Sequence, residues 1–134
     1  MLKRGFLSVL AAAILTVFVL GDYRAVRAAA ADGKAIYDGK CASCHQATGQ
    51  GIPTTFPPLA GNKDVTGDPA KVIAAVAKGV NGAITVNGKA YSGAMPAWRG
   101  QLTDADIAAV VTYIRSSWGN KASAVTEKQV SAVK

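Results

Sequence analysis

The clearest hydrophobic pattern in the chain lies near its C-terminus and has the period of an amphipathic helix. Thr103 is suited to cap the helix, and Asp104 and Asp106 place acidic groups in its first turn, where they complement the helix dipole. Gly119-Asn120 is suited to end it. The pattern predicts a helix with Tyr113 beside one apolar stripe, which consists of Ile107, Val110, Val111, Ile114 and Trp118.

Two further helices are predicted earlier in the chain. Asp32 is a suitable N-cap for a helix that runs to about Cys44, and a spacing of four places Gly33, Tyr37 and Cys41 on one face. Gly33 indicates either a close contact with a second helix or an ordinary first turn. The other helix spans Pro69–Lys78, with Asp68 as its cap, Gly79 after its end, and a buried stripe of Val72, Ile73 and Val76.

The remaining segments are predicted from turn-forming residues. Residues 46–62 are rich in glycine and proline and indicate a loop. Asn87-Gly88 lies between β-prone residues and predicts a small hairpin within Ala83–Tyr91. Near the C-terminus, Thr126 and Gln129 form a capping-box pattern flanked by Val125 and Val130, which predicts a short helix.

Residues 1–30 have the composition of an export signal. Lys3 and Arg4 precede an uncharged apolar stretch over residues 5–21, and Ala28 and Ala30 offer a cleavage site before residue 31. The apolar stretch has a length between that of a signal peptide and that of a membrane span. We therefore favour a cleaved signal and keep a retained N-terminal membrane anchor as the alternative. Either one places the following domain in the periplasm.

The charge of the chain argues against nucleic acid as a partner. The formal net charge is +7, but residues 31–134 hold 11 basic and 7 acidic residues, a net of +4. No basic run or stripe of alternating basic and aromatic residues accompanies this mild excess. A weakly basic face that meets acidic redox proteins is compatible with it.

The candidate chemistry is concentrated in Cys41-Ala42-Ser43-Cys44-His45. Two thiols three residues apart, followed at once by an imidazole, form the C-x-x-C-H pattern of covalent haem attachment. These are the only two cysteines and the only histidine, so a structural zinc site would be one ligand short of four. No βαβ pattern supports a thioredoxin-like dithiol, and a lone disulfide would leave the adjoining His45 without a role.

Two later segments supply candidates for the rest of a haem site. Pro57 lies in a stiff Pro-Pro segment whose carbonyls are free to accept a hydrogen bond, and a ligating imidazole usually donates its second N–H to such an acceptor. Leu59 is predicted to face the haem. Met95 is the only methionine outside the export segment, Pro96 stiffens the chain beside it, and its thioether is a soft ligand suited to the sixth position of iron. Tyr91 and Trp98 would pack on the haem or reach a propionate, with ordinary core packing as the alternative.

With these motifs, the chain resembles a class I monohaem cytochrome c. The segments that carry the resemblance are C-A-S-C-H, F-P-P-L-A-G-N, M-P-A-W and L-T-D-A-D-I-A-A-V-V-T-Y-I-R, and they extend from about Asp32 to Trp118. The segment I-T-V-N-G-K-A-Y-S-G-A-M-P is also similar to cytochrome domains associated with haem-copper oxidases or membrane-bound dehydrogenases. The hairpin is an addition to the minimal pattern.

The resemblance implies an all-α cytochrome c fold over residues 31–120, with crossed N- and C-terminal helices around one haem c, a β-hairpin excursion before the distal Met95, and a C-terminal extension over 121–134. It implies thioether bonds from Cys41 and Cys44, His45 and Met95 as iron ligands, and the Pro57 carbonyl as the group that orients His45. Tyr113 would meet Gly33 and Tyr37 where the helices cross.

The implied function is electron transfer without catalysis. The chain would be a periplasmic carrier between a dehydrogenase or reductase and a terminal oxidase or other acceptor, acting as a monomer or as a subunit of a complex. One alternative is an anchored cytochrome subunit of a larger oxidase or dehydrogenase, held in the membrane through residues 5–21. Another is a five-coordinate haem peroxidase or gas-binding protein, which would need Met95 off the iron and has no second histidine for distal chemistry.

Overall fold

The computed structural model describes residues 31–134, which form one compact unit. The predicted export segment, residues 1–30, lies outside the described residues. The described part is helical with one small antiparallel sheet, in the order α1 Gly33–Lys40, α2 Ala42–His45, α3 Lys63–Thr66, α4 Pro69–Lys78, β1 Ile84–Val86, β2 Lys89–Tyr91, α5 Asp104–Ser116 and α6 Glu127–Ala132. No helix within residues 31–134 has both the length and the apolar character needed to cross a membrane.

The first predicted helix is present but divided. The Asp32 side chain accepts hydrogen bonds from the backbone N–H groups of Lys34 and Ala35 at 3.0 and 3.1 Å, which confirms the predicted cap. A single helix running to Cys44 was the wrong expectation, because Cys41, with φ −114°, ends α1 and caps α2. Its amide still donates to Tyr37, and its carbonyl accepts from His45 at 2.9 Å, so the backbone remains hydrogen-bonded through the break.

Helix α4 and the hairpin agree with the sequence. Asp68 caps α4 and Gly79 follows its last residue, and the predicted stripe of Val72, Ile73 and Val76 is buried. Strands β1 and β2 pair with Ile84 opposite Tyr91, and the turn residues Asn87 and Gly88 both have positive φ, as a two-residue hairpin turn requires. The short helix α3 was not predicted; Asn62 caps it by accepting from the Asp64 amide at 2.9 Å.

Helix α5 is shorter than predicted. Its start is confirmed by a capping box between Thr103 and Asp106, but it ends at Ser116 instead of near Gly119. The Ser117 hydroxyl donates to the Tyr113 carbonyl at 2.6 Å, taking an acceptor that a further helical turn would use. Trp118 therefore lies beyond the helix, with φ 53°, and is not part of the α5 stripe.

Helices α1 and α5 pack against each other around Gly33. A Cβ at Gly33 would lie 2.2 Å from the Ala109 carbonyl oxygen, so only glycine permits this contact. The Tyr37 and Tyr113 rings, one from each helix, also pack against each other, with centroids 5.5 Å apart. Of the two explanations for Gly33, the close helix contact is therefore the correct one, and the predicted meeting of Tyr113 with Gly33 and Tyr37 is confirmed.

The C-terminal helix α6 packs on the same core. Thr126 and Gln129 form the predicted capping box, Val130 is fully buried and Val125 nearly so. Both valines belong to the hydrophobic cluster that also contains Tyr37, Ile73, Ile107, Val110, Val111 and Ile114. The helices thus enclose one core, and the segments between them surround the site described next.

Candidate haem-binding site

The two cysteines lie at the junction of α1 and α2. They form no disulfide with each other, and both are partly buried. Burial, followed by the nearby Cys44, raises the pKa of the Cys41 thiol to about 11. A redox-active dithiol usually has a lowered pKa, because the thiolate is the nucleophile. The environment of Cys41 therefore does not favour dithiol chemistry.

His45 is the buried end of the motif. Its side chain is 7% exposed, and its Nδ1–H donates to the Pro57 carbonyl oxygen at 2.9 Å. Burial lowers the pKa of His45, and the hydrogen bond to Pro57 only partly opposes this. Because Nδ1 makes this contact, Nε2 is the ring nitrogen left for a metal. A neutral imidazole with Nδ1 fixed and Nε2 free is the form that binds a metal.

Backbone contacts fix the loop that carries Pro57. Ile52 and Phe56 exchange two backbone hydrogen bonds of 2.8 Å, and the Gly51 amide donates to the His45 carbonyl at 3.0 Å. Gly51 has φ 68°, and a Cβ there would lie 2.3 Å from the Phe56 carbonyl oxygen. Glycine is therefore required at this position for the loop to close against α2.

Met95 is held by the segment that follows α4. Met95 and Val80 exchange backbone hydrogen bonds of 3.0 and 2.9 Å. A Cβ at Gly79 would lie 2.5 Å from the Met95 carbonyl oxygen, so the chain passes Met95 at a point where only glycine fits. Three residues later, the Trp98 amide donates to the Val76 carbonyl at 3.0 Å. Met95 is therefore held by Val80, just after α4, and the chain that follows it is held to α4 through Trp98.

Two apolar cavities of about 240 and 190 Å³ lie between these elements. Both are lined by a common set of residues: Cys41, His45, Pro57, Val80, Ile84 and Met95. The larger cavity is also lined by Cys44, Phe56 and Trp98, and the smaller one by Leu59, Val65, Val72, Val76 and Ile114. The fold thus brings both thiols, the imidazole and the thioether to one apolar space.

Most of the residues singled out in the sequence line this space, but Tyr91 does not. The larger cavity includes Trp98, over whose ring the Lys40 Nζ lies 5.7 Å from the centroid, and the smaller includes Leu59. Tyr91 is buried, yet it lines a separate cavity with Pro53 and Pro58. The sequence indicated that Tyr91 is buried, but it could not indicate on which side of the hairpin the ring packs.

Three residues support the site in a way that the sequence pattern did not indicate. Asn120 accepts from the Gly61 amide at 3.0 Å and donates to the Leu59 and Ile114 carbonyls at 3.0 and 2.9 Å. The Trp118 indole N–H donates to the Ala47 carbonyl at 3.0 Å. Arg115 is 2% exposed and donates to the carbonyls of Val65, Gly67 and Ser123.

These three residues join the C-terminal end of α5 to the segment between α2 and α4. The sequence signals were a basic residue near the end of a helix and an asparagine just after it. Such residues also occur at ordinary helix ends, so the pattern did not distinguish the two cases.

The residues around the two cavities fit a haem. The two cysteines match the two attachment points, the neutral His45 offers one nitrogen, Met95 offers a sulfur, and most of the other lining residues are apolar. The fold, the C-x-x-C-H site and the two candidate ligands together define a monohaem cytochrome. The chain belongs to the cytochrome c family, whose model, described as "Cytochrome c", matches residues 30–118.

The relatives include both free cytochromes and subunits of larger enzymes. The chain is 44% identical over 96 residues to cytochrome c-552 of Thermus thermophilus, covering 69% of this chain and 64% of that protein. It is 41% identical to the cytochrome c subunit of the quinone alcohol dehydrogenase of Gluconobacter oxydans, over 67% of this chain and 19% of that subunit. It is 36% identical to the cbb3-type cytochrome c oxidase subunit CcoP of Azospirillum brasilense, over 70% of this chain and 30% of that subunit.

Membership of the family establishes the cofactor and the class of activity. The chain carries haem c, attached covalently through Cys41 and Cys44. Electron transport is the activity of this family, and the relatives include cytochrome c-552 and cytochrome c6. The resemblance noted in the sequence is thereby confirmed, and the chain spans less than two thirds of cytochrome c-552 and smaller shares of the complex subunits.

Proposed function

We propose that this chain is a periplasmic single-electron carrier in which His45 and Met95 would bind the iron of one haem c. One observation carries the proposal: His45 and Met95 line the same two adjoining apolar cavities together with Cys41. When bound, the haem supplies a one-electron couple between ferric and ferrous iron. The protein's task is then to keep both ligands in place in either oxidation state.

His45 acts as a fixed, neutral nitrogen donor. The lowered pKa keeps its imidazole unprotonated at neutral pH, and the hydrogen bond to Pro57 fixes the ring orientation and leaves Nε2 for the iron. Met95 provides a neutral sulfur donor, which favours the ferrous state and raises the reduction potential. Two protein ligands leave no coordination position for a substrate, in keeping with a carrier.

The surrounding residues exclude water and shape the site. Leu59 and Trp98 would pack against the haem on the two sides defined by the two cavities. Tyr91 would not contact the haem, since it lines a different cavity, and would support the site only through the packing of the hairpin. We further infer that α1 and α5 cross at Gly33 in the manner of this family, with residues 31–120 as the cytochrome c domain and 121–134 as an extension.

Carbon monoxide binding tests the ligand assignment. If both axial positions are occupied by protein, the reduced protein should bind carbon monoxide slowly and weakly at neutral pH. A five-coordinate peroxidase or gas-binding protein would bind it at once and stoichiometrically. Rapid binding to the reduced wild-type protein would contradict the carrier proposal and support the five-coordinate alternative.

The direct redox partners are proposed to be proteins: a dehydrogenase or reductase as donor, and a terminal oxidase or similar acceptor. An anchored subunit of such a complex is the second candidate. It is favoured by the apolar stretch over residues 5–21 and by the relatives named as subunits of an alcohol dehydrogenase and a cbb3-type oxidase. In that case the domain would again face the periplasm.

N-terminal sequencing of the protein purified from its own membranes and periplasm separates the two candidates. A periplasmic protein that begins near residue 31 supports the cleaved signal and a free carrier. A membrane-bound protein that retains residues 5–21 and co-purifies with other subunits supports the anchored alternative.

A further inference from the structure

We propose that the C-terminal extension, residues 121–134, keeps Met95 on the iron, and that Arg99 is the positioning residue that connects the two. The extension lies beyond the residues matched by the family model, which end at 118. The inference rests on the proposed function, in which Met95 is an axial ligand. The segment Met95–Arg99 is called the distal segment below.

The extension is built firmly into the core. Val130 of α6 is fully buried, and the capping box of Thr126 and Gln129 fixes the start of the helix. Just before the helix, the Val125 amide donates to the Thr112 hydroxyl at 2.9 Å, which itself donates back to the Val125 carbonyl. Helix α6 is therefore anchored to α5 and can serve as a fixed support.

Arg99 links this support to the distal segment. Its guanidinium donates to the Val130 carbonyl oxygen at 3.0 Å, across 31 residues of sequence. Its own backbone amide donates to the Ala77 carbonyl at 3.1 Å, next to the contact between Trp98 and Val76. The end of the distal segment is thus held between α4 and α6.

Met95 itself is fixed by its two backbone hydrogen bonds to Val80. The chain that follows it is fixed by the backbone hydrogen bonds of Trp98 to Val76 and of Arg99 to Ala77, and the Arg99 side chain adds the one contact between this segment and α6 that the proposal uses. Loosening Arg99 should therefore let the Met95 sulfur leave the iron more often, without unfolding α5 or the His45 loop.

Displacement of the sulfur can be measured with free imidazole. Imidazole binds ferric iron only when the sulfur has left, so its apparent affinity reports how often the distal segment opens. The titration follows the loss of the weak absorption band between methionine sulfur and ferric iron, at constant pH. Global unfolding by denaturant is measured in parallel on the same haem-loaded protein.

The main variant is Arg99→Met, which keeps the length of the side chain and removes its donors. We expect imidazole to bind about tenfold more tightly, the equivalent of one lost charged hydrogen bond. Lys34→Met is the matched control, because it also removes a basic side chain, and Lys34 forms its ion pair with Asp38 of α1 instead of with a residue of the distal segment. That control should bind imidazole as the wild type does, and Arg99→Lys should restore part of the wild-type behaviour.

A second pair of variants tests the contribution of helix α6. Thr126→Ala removes the cap of α6 and should strengthen imidazole binding about threefold, whereas Asp32→Ala removes the cap of α1 and should leave it unchanged. Wild-type imidazole affinity in both Arg99→Met and Thr126→Ala would overturn the inference. A wild-type protein without the methionine band would instead contradict the proposed function itself, so the two failures are distinguishable.

Discussion

At the scale of single residues, four side chains carry the chemistry of the site, and others hold the backbone around it through buried hydrogen bonds. Cys41, Cys44, His45 and Met95 could be chosen because each is scarce in the sequence and its side chain has a specific ligand chemistry. The hydrogen bond between His45 and the Pro57 carbonyl also follows from local features, a stiff segment with unpaired acceptors. Asn120 and Arg115 bind backbone carbonyls that are 48 to 61 residues away in the sequence, and no local pattern encodes such partners.

Replacing Met95 by alanine tests the sixth ligand. The variant should bind carbon monoxide rapidly when reduced, and its reduction potential should fall by on the order of 100 mV, part of the ~0.8 V range that axial ligation spans. The reason is that loss of the thioether removes a ligand that favours ferrous iron. Potentiometric titration of the wild type and the variant under the same conditions measures the shift. An unchanged potential and an unchanged ferric spectrum would show that Met95 is not bound to iron.

Replacing Arg115 by methionine tests the buried arginine. Its guanidinium satisfies the Val65, Gly67 and Ser123 carbonyls, and methionine would leave them buried without donors. We expect the free energy of unfolding to fall by about 2–4 kcal/mol, because an unpaired buried polar group costs more than the hydrogen bond was worth. Lys121→Met, at an exposed position, is the control. Equal unfolding midpoints for the two variants in denaturant would contradict this role.

At the scale of elements, the N-terminal ends of the helices were predicted better than their C-terminal ends. The caps Asp32, Asp68, Thr103 and Thr126 are all observed, because a cap is a local hydrogen bond between a side chain and an amide two or three residues away. The end of α5 depends on Trp118, which leaves the helix to pack on Tyr37 and to reach Ala47. Those contacts form only in the folded protein, so the helical periodicity of the sequence predicted a helix that is longer than the one observed.

The capping box of α5 gives a pH-dependent prediction. Hydrogen bonds from Thr103 lower the pKa of Asp106, so the unfolded chain binds the proton more tightly than the folded protein does. The stabilisation is therefore fully present above the unfolded pKa of about 3.9 and is lost as the pH falls through the lower, folded value. Since the carboxylate is exposed, Asp106→Asn should cost only about 0.5–1 kcal/mol.

Denaturant unfolding of the wild type and Asp106→Asn between pH 7 and pH 3 measures this effect. The difference in unfolding free energy should be constant from pH 7 to pH 5 and should narrow towards pH 3. A difference that grows on acidification would have the wrong sign for a carboxylate whose pKa is lowered by folding.

At the scale of the whole molecule, the arrangement follows from wrapping a small helical core around a large apolar group. The cavities lie where α4, the hairpin, the Pro57 loop and the cysteine-bearing helices meet, and their lining is contributed by segments from residue 40 to residue 114. The sequence indicated the family and hence this plan. It could not indicate that the extension would bury Val130 in the same core, because that depends on a surface formed by distant helices.

The visible absorption spectrum of the purified, oxidised protein tests the central claim most directly. If haem c is held between His45 and Met95, the ferric protein shows the weak charge-transfer band of methionine sulfur on iron at neutral pH, and Met95→Ala lacks it. A ferric wild-type spectrum without that band, or one that is identical in Met95→Ala, would contradict the account.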